Sequence, residues 1–293
     1  MTAPVIADEL GPRGRRRVQV VTAVAVVVIA ALLAVAFSRL LTKGQFAAAR
    51  WKPFTELDTI RALGLALVNT LKVAAVAGVL AAVIGGALAL ARLSRTAPLR
   101  WVATAVIEVF RAYPLLLLIF FMPKFVKFAG YDLEPFWPLA IALMLYNGAI
   151  LAEIFRAGIL SLDRGQREAA LSLGLSYWQT MGLVLVPQAV RRMLPAIVSQ
   201  LITLLKDTAL GTAIFYDELL RRADGLGNQF GNNLQMYLVV GMIYIAVNYL
   251  LSRVARRLER RQRRRFGAGA IAVAGVEDLT TMEAEVDAEV AGR

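Results

Sequence analysis

The 293-residue chain has no cysteine and no histidine. Without cysteine there is no disulfide framework. Without either residue, most zinc and haem ligation is excluded, and so is the histidine-based catalytic triad. Charge is also scarce: 18% of the residues are Asp, Glu, Lys or Arg, whereas 58% are hydrophobic. A soluble domain carries roughly 25% charged and 45–50% apolar residues, so this balance does not suit one. The apolar fraction is also too high for disorder over most of the length. No Gly-x4-Gly-Lys-Ser/Thr motif occurs, nor any Gly-Lys pair, so the phosphate-cradling loop of an ATPase is missing.

Long apolar runs are what the chain has in quantity. Its net charge of +12 would also suit a nucleic-acid binder. The basic residues flank the apolar runs, however, and this points to a lipid bilayer and away from nucleic acid. About 20 mostly apolar residues make one spanning helix. Residues 18–38 form the cleanest run. Arg13, Arg15, Arg16 and Arg17 precede it, as in a signal peptide, but the apolar part is too long and no small-x-small cleavage site follows.

The second span lies within residues 63–91, the fourth at 136–155, the fifth at about 194–214 and the sixth at 236–251. The third is short. Its apolar part lies between Arg111 and Lys124, and it reaches spanning length only by extending back to Trp101 through Glu108 and Arg111, with a kink expected at Tyr113-Pro114. Six spans put both termini on one side. With the N-terminus inside, the cytoplasmic segments hold twenty Lys/Arg against ten outside, which favours cytoplasmic termini. The expectation is an all-α membrane protein. It has a basic N-terminus (1–17), a first transmembrane helix (18–38), a transmembrane domain (60–255), and a C-terminal part (256–293) that begins basic and ends as an acidic disordered tail.

Between the fourth and fifth spans, residues 156–193 are long for a loop in a compact bundle. Residues 161–174 read as a short exposed helix, and the i, i+4 spacing of Ala170, Gly174 and Trp178 puts them on one face. Pro187 and Pro195 are expected to break the path before the fifth span.

The run Glu168-Ala169-Ala170-x3-Gly174-x9-Val184-Leu185-Val186-Pro187 resembles the EAA loop of permease subunits in ATP-binding-cassette importers. Asn69-Thr70-Leu71-Lys72, Glu108-x-x-Arg111-Ala-Tyr-Pro114-Leu-Leu and Leu204-Leu-Lys206-Asp207-Thr208-Ala209-Leu210 resemble motifs of the polar amino acid branch. The overall pattern is most similar to actinobacterial glutamate permease subunits. The similarity covers about residues 60–255, leaving out the first span and the acidic tail.

This resemblance implies a five-helix type I importer core preceded by one extra helix, in a bacterial plasma membrane. It implies a cytoplasmic coupling helix within 159–187, with Glu168, Ala169, Ala170, Ser172, Leu173, Gly174 and Trp178 meeting a separate ATP-binding subunit. That partner would bind ATP and magnesium, and this chain would hold no cofactor. A second permease chain, identical or homologous, and an extracytoplasmic binding protein complete the implied assembly. The implied cargo is a polar amino acid, glutamate or aspartate.

Ionisable groups inside spans are costly and mark candidate functional sites. Ser199, Thr203, Lys206 and Asp207 follow i, i+4, i+7 and i+8 and share one helical face, with Thr208 next in sequence. Asp207 and Lys206 suit the ammonium and carboxylate of an amino acid. They equally suit structural ion pairs, and both readings stand. Arg111 joins the substrate path if it faces the same cavity. Glu108/Arg111 and Glu153/Arg156 are i, i+3 pairs near cytoplasmic helix ends, suited to structural pairing or to gating. Asn69 and Lys72 are expected to cap or anchor the outer end of the second span, and Gly85-Gly86 to permit close helix packing. A gradient-driven secondary amino acid transporter is the alternative. It would use Lys206-Asp207 as an ion site, but it has no need of an EAA loop. A non-transporting scaffold leaves the intramembrane charges unexplained.

Overall fold

A computed structural model describes residues 11–254 and 256–257. The N-terminal residues 1–10 and almost all of the 256–293 tail, for which a basic start and acidic disorder are expected, lie outside the described residues. All regular elements among the described residues are helical. Helix α1 spans Pro12–Thr42 and α2 is a single turn, Ala48–Trp51. Helix α3 runs Leu57–Arg92, α4 Ala97–Ala112, α5 Leu115–Phe128 and α6 Phe136–Leu160. Then come α7, Arg164–Ser172, and α8, Tyr177–Gln179. Helix α9 follows at Val186–Asp207, then α10 at Leu219–Phe230 and α11 at Asn233–Val254. Among the described residues, five helices are long and apolar enough to cross a membrane, and six crossings result if α4 and α5 together make one.

That pair is bent by 109° at Tyr113-Pro114. Proline disfavours helical geometry in the residue before it, and Tyr113 is accordingly extended at ψ 131°. The expected kink is therefore a full corner.

The fifth crossing departs from expectation in the opposite direction. Pro187 and Pro195 do not break it: one helical path runs Tyr177–Ile214. A π-turn at Thr180–Leu185 leads into α9 and puts Pro187 in its first turn, where a missing N–H costs little. Pro195 sits inside α9, and a 3-10 stretch, Thr208–Ile214, ends the path. The second crossing also begins earlier than expected. Helix α3 has 36 residues, about 54 Å at 1.5 Å per residue, and overshoots a hydrocarbon core of about 30 Å.

Helix α6 is the centre of the bundle and packs on α3, α4, α5 and α9. Its Leu139, Leu143, Ala149, Leu151 and Ala152 are fully buried. Small residues set the approach of α3: Ala77, Ala81, Gly85 and Ala89 recur at i+4 and are all buried. A Cβ at Gly85 would lie 2.7 Å from the carbonyl oxygen of Gly148 and 3.0 Å from Leu151 Cβ, both on α6. Gly86 faces away from this contact, its nearest neighbour being Phe155 Cε2 at 4.0 Å. Only one of the two adjacent glycines is therefore needed for close packing.

Among the described residues, helix α1 contributes to none of the buried clusters, and its apolar stretch is wholly exposed. Its tether is fixed at the far end: Gln235 donates to the Gln45 carbonyl, Arg50 Nη1 to the Gly231 carbonyl at 2.7 Å, and Asn232 Nδ2 to the Arg50 carbonyl at 2.9 Å.

The two glycines give a paired test. Gly85→Ala should cost about 1–3 kcal/mol through overpacking against backbone, whereas Gly86→Ala should be near neutral. Melting temperatures of the purified variants in detergent measure the difference.

Candidate functional site

The segment between α6 and α9 is built by local signals. The Asp163 carboxylate caps α7, accepting from the Gly165 N–H at 2.7 Å. At the other end Gly174 takes φ +82°, its N–H reaching the Leu171 carbonyl at 3.0 Å while Leu175 N–H reaches the Ala170 carbonyl at 3.2 Å. These two bonds are a Schellman stop, which glycine makes at no steric cost. Ser176 and Gln179 then form a capping box that starts α8.

This geometry corrects the shared face expected for Ala170, Gly174 and Trp178. Ala170 is buried, Gly174 lies beyond the helix end, and Trp178 sits on the next helix and is exposed. Glu168, Ala169, Ser172 and Leu173 are exposed, Leu173 at 83%. An apolar side chain that exposed, with Trp178 close in sequence, is a surface feature and not a core one.

The segment is also tied to three long helices. Tyr177 Oη donates to the Leu93 carbonyl at the end of α3 at 2.6 Å, with Arg95 stacked 4.7 Å from the Tyr177 ring centre. Arg192 Nη1 of α9 donates to the Ser161 carbonyl that closes α6 at 2.9 Å, and Gln188 donates to Gln166 of α7 at 3.2 Å. Displacement of α7 and α8 would therefore be felt by α3, α6 and α9.

At the same end, the two expected i, i+3 pairs merge into one network. Glu153 of α6 is its hub. It accepts from Arg92, which ends α3, and from Arg156 Nε at 3.1 Å, with Arg111 Nη1 of α4 at 3.9 Å. Glu108 lies 3.4 Å from Arg92 and 4.0 Å from its own i+3 partner Arg111. Arg92 was not visible as a member from sequence, because its partners lie 16 and 61 residues away.

The polar stripe of α9 splits. Ser199, Thr203 and Lys206 are exposed, and Lys206 lines a groove of about 610 Å³ beside Tyr237, Tyr244 and Asn248 of α11. Asp207 turns the other way, toward the Asn147 amide of α6. Asn147 is fully buried; its Oδ1 accepts from Gln200 at 2.7 Å and its Nδ2 donates to the Leu143 carbonyl at 3.0 Å. Thr208 is buried and bonded to the Leu205 carbonyl at 2.7 Å. Arg111 belongs to the Glu153 network, away from this stripe. Lys206 and Asp207 thus do not meet one ligand from one face. The reason is angular: adjacent residues point about 100° apart on a helix of 3.6 residues per turn. Asn147 and Gln200 were missed, although an amide within an apolar run is itself a signal.

Asn69 is not a helix-end cap, because α3 begins twelve residues earlier at Leu57. Its Nδ2 donates to the Asp217 carbonyl at 3.0 Å, and its carbonyl accepts from Tyr216 Oη at 3.0 Å. Next to this tie, Glu218 is fully buried and caps α10. It accepts from the N–H groups of Leu220 and Arg221 at 2.8 and 2.6 Å, and from the hydroxyls of Thr212 and Tyr244, both at 3.0 Å. Burial pushes its carboxyl above the usual carboxylate range, and these four bonds pull in the opposite sense.

The described residues thus form a multi-pass helical bundle with a capped, exposed helix pair at one end, the architecture of an integral membrane protein. Residues 74–264 match the family described as "Binding-protein-dependent transport system inner membrane component", and the chain belongs to that family. It is 43% identical over 226 residues to the glutamate transport system permease protein GluD of Corynebacterium glutamicum, covering 75% of this chain and 82% of that one. Against the arginine transport system permease protein ArtQ of Bacillus subtilis it is 36% identical, covering 68% and 90%. A solved structure described as "an amino acid ABC transporter with histidines" matches with a TM-score of 0.65 at 31% identity, over 70% of this chain and 96% of that one.

The hub carries a prediction. Glu153→Gln removes the charge facing three arginines, and a broken, partly buried pair of this kind should cost about 2–4 kcal/mol. Glu108→Gln, at a more exposed site, should cost under about 1 kcal/mol. Thermal unfolding of the two variants tests the ranking.

Proposed function

We propose that this chain is the membrane-spanning subunit of an ATP-driven importer for a polar amino acid, with glutamate or aspartate as cargo. The observation that carries the coupling part is the α7–α8 segment: exposed at Glu168, Ala169, Ser172, Leu173 and Trp178, yet anchored to α3, α6 and α9. A separate subunit that binds ATP and magnesium docks there. When two such subunits close, the helix pair moves and takes the long helices with it. The bundle then alternates between facing out, to accept cargo from an extracytoplasmic binding protein, and facing in. A second permease chain supplies the other half of the path.

The lean toward glutamate rests on the Corynebacterium relative and on a second one, the glutamate/aspartate import permease protein GltK of Escherichia coli, 35% identical over 204 residues. Lys206, exposed in the α9–α11 groove, is the candidate contact for a cargo carboxylate. Asp207 shapes the path from behind through Asn147. The excess of Lys and Arg at the α7–α8 end supports a cytoplasmic position for that end and for both termini, with the bundle in the bacterial plasma membrane.

Two measurements test this reading. Leu173→Glu alters a side chain that is 83% exposed, so the protein should insert normally while the co-purifying ATPase is lost. Retained ATPase and transport would sink the docking assignment. Gly174 is unsuitable for this test, because any side chain at φ +82° strains the backbone. Uptake of labelled amino acids by cells with and without the gene reports cargo: selective loss of glutamate or aspartate is expected, and loss of a basic or neutral amino acid would discard the Lys206 assignment.

A further inference from the structure

Where α3, α4 and α6 meet at the α7–α8 end, a cavity of about 580 Å³ opens on the surface. Arg92, Arg100 and Arg156 line it, together with Leu93, Trp101 and Ala105. We propose that this cavity is a binding site for the phosphodiester headgroup of an anionic phospholipid.

Charge is the first argument. Arg92 and Arg156 share Glu153, but each guanidinium has five N–H donors and only some are used there. Arg100, one helical turn from Thr104 on α4, is exposed and makes no side-chain bond among the described residues. Taking Arg92, Arg100, Arg111 and Arg156 against Glu108 and Glu153, the cluster keeps a surplus of two positive charges. A basic pocket between transmembrane helices at the cytoplasmic side suits an anionic headgroup.

The second argument is the wall. Trp101 is 74% exposed and Val102 beside it 63%. These apolar groups, on a helix that forms part of a membrane crossing, face the bilayer right beside the arginines, whereas a soluble anion would use the arginines alone. A phospholipid satisfies both, with its phosphate on the guanidinium groups and its acyl chains along α4. Tryptophan is also the residue favoured at headgroup depth. A zwitterionic headgroup would bring a second cation to a site already in positive excess. Leu93, which lines the cavity, accepts the Tyr177 hydroxyl at its carbonyl, so a bound lipid would sit one residue contact away from α8.

Native mass spectrometry of the full-length chain, purified with its partner subunits, tests the site. Dioleoylphosphatidylglycerol should be retained over dioleoylphosphatidylcholine by the unmodified protein, a comparison that needs no variant. Arg100→Gln should weaken the retention of phosphatidylglycerol about fivefold, on the basis of roughly one interfacial arginine's contribution. Arg61→Gln, an equal loss of charge at the far end of the bundle, should leave it unchanged. Equal retention of the two lipids, equal effects of the two variants, or displacement by millimolar glycerol phosphate would each overturn the assignment.

Discussion

Inside a bilayer, apolar side chains gain nothing by leaving lipid for protein, so helices associate through close approach and polar ties. The contact of Gly85 with the Gly148 carbonyl is where this bundle meets that constraint. With no side chain at either position, α3 lies against α6 along most of its length. The rest of the core follows from the pair: α4 and α5 turn their corner around α6, and α9 crosses it at Asn147 and Gln200. Among the described residues helix α1 belongs to none of the buried clusters, and it lies outside the region that matches the family.

Polar chemistry is confined to places where it can be satisfied. Glu153 gathers arginines from three helices at one end. Glu218 gathers four donors at the other, where it both caps α10 and holds the hydroxyl of Tyr244 on α11. Between them, Asn147 links α6 to α9 near Asp207. Each of these groups would be expensive alone in a low dielectric and each is paired. Lys206 in the groove and Leu173 with Trp178 on the end segment are exposed, and they are the groups that the proposed function uses.

The Glu153 hub and the end segment are mechanically continuous. Arg92 of the hub is the last residue of α3, and the carbonyl of the next residue, Leu93, holds Tyr177 of α8. A push on α8 thus reaches the charge network through two successive residues. This continuity joins the i, i+3 pairs to the end segment.

Much of the architecture was legible in the chain itself. Apolar length marked the spans and Tyr113-Pro114 announced a bend, because these are local properties of sequence. The Glu-Ala-Ala-x3-Gly run also located the exposed helix. Its Gly174, though, stops the helix and does not share one helical face with Ala170 and Trp178, a distinction that depends on a positive φ. Other features were decided only by tertiary structure. Whether Pro187 breaks a helix depended on a π-turn upstream. Which of two adjacent glycines packs depended on where α6 lies. Whether Lys206 and Asp207 serve one ligand depended on the angle between neighbouring side chains relative to α6 and α11. Arg92 joined Glu153 because folding brought together residues 61 positions apart. Sequence patterns report what one helix does along its own axis; the neighbour it meets, and therefore which charge is paired and which is left free, is set by how the helices cross.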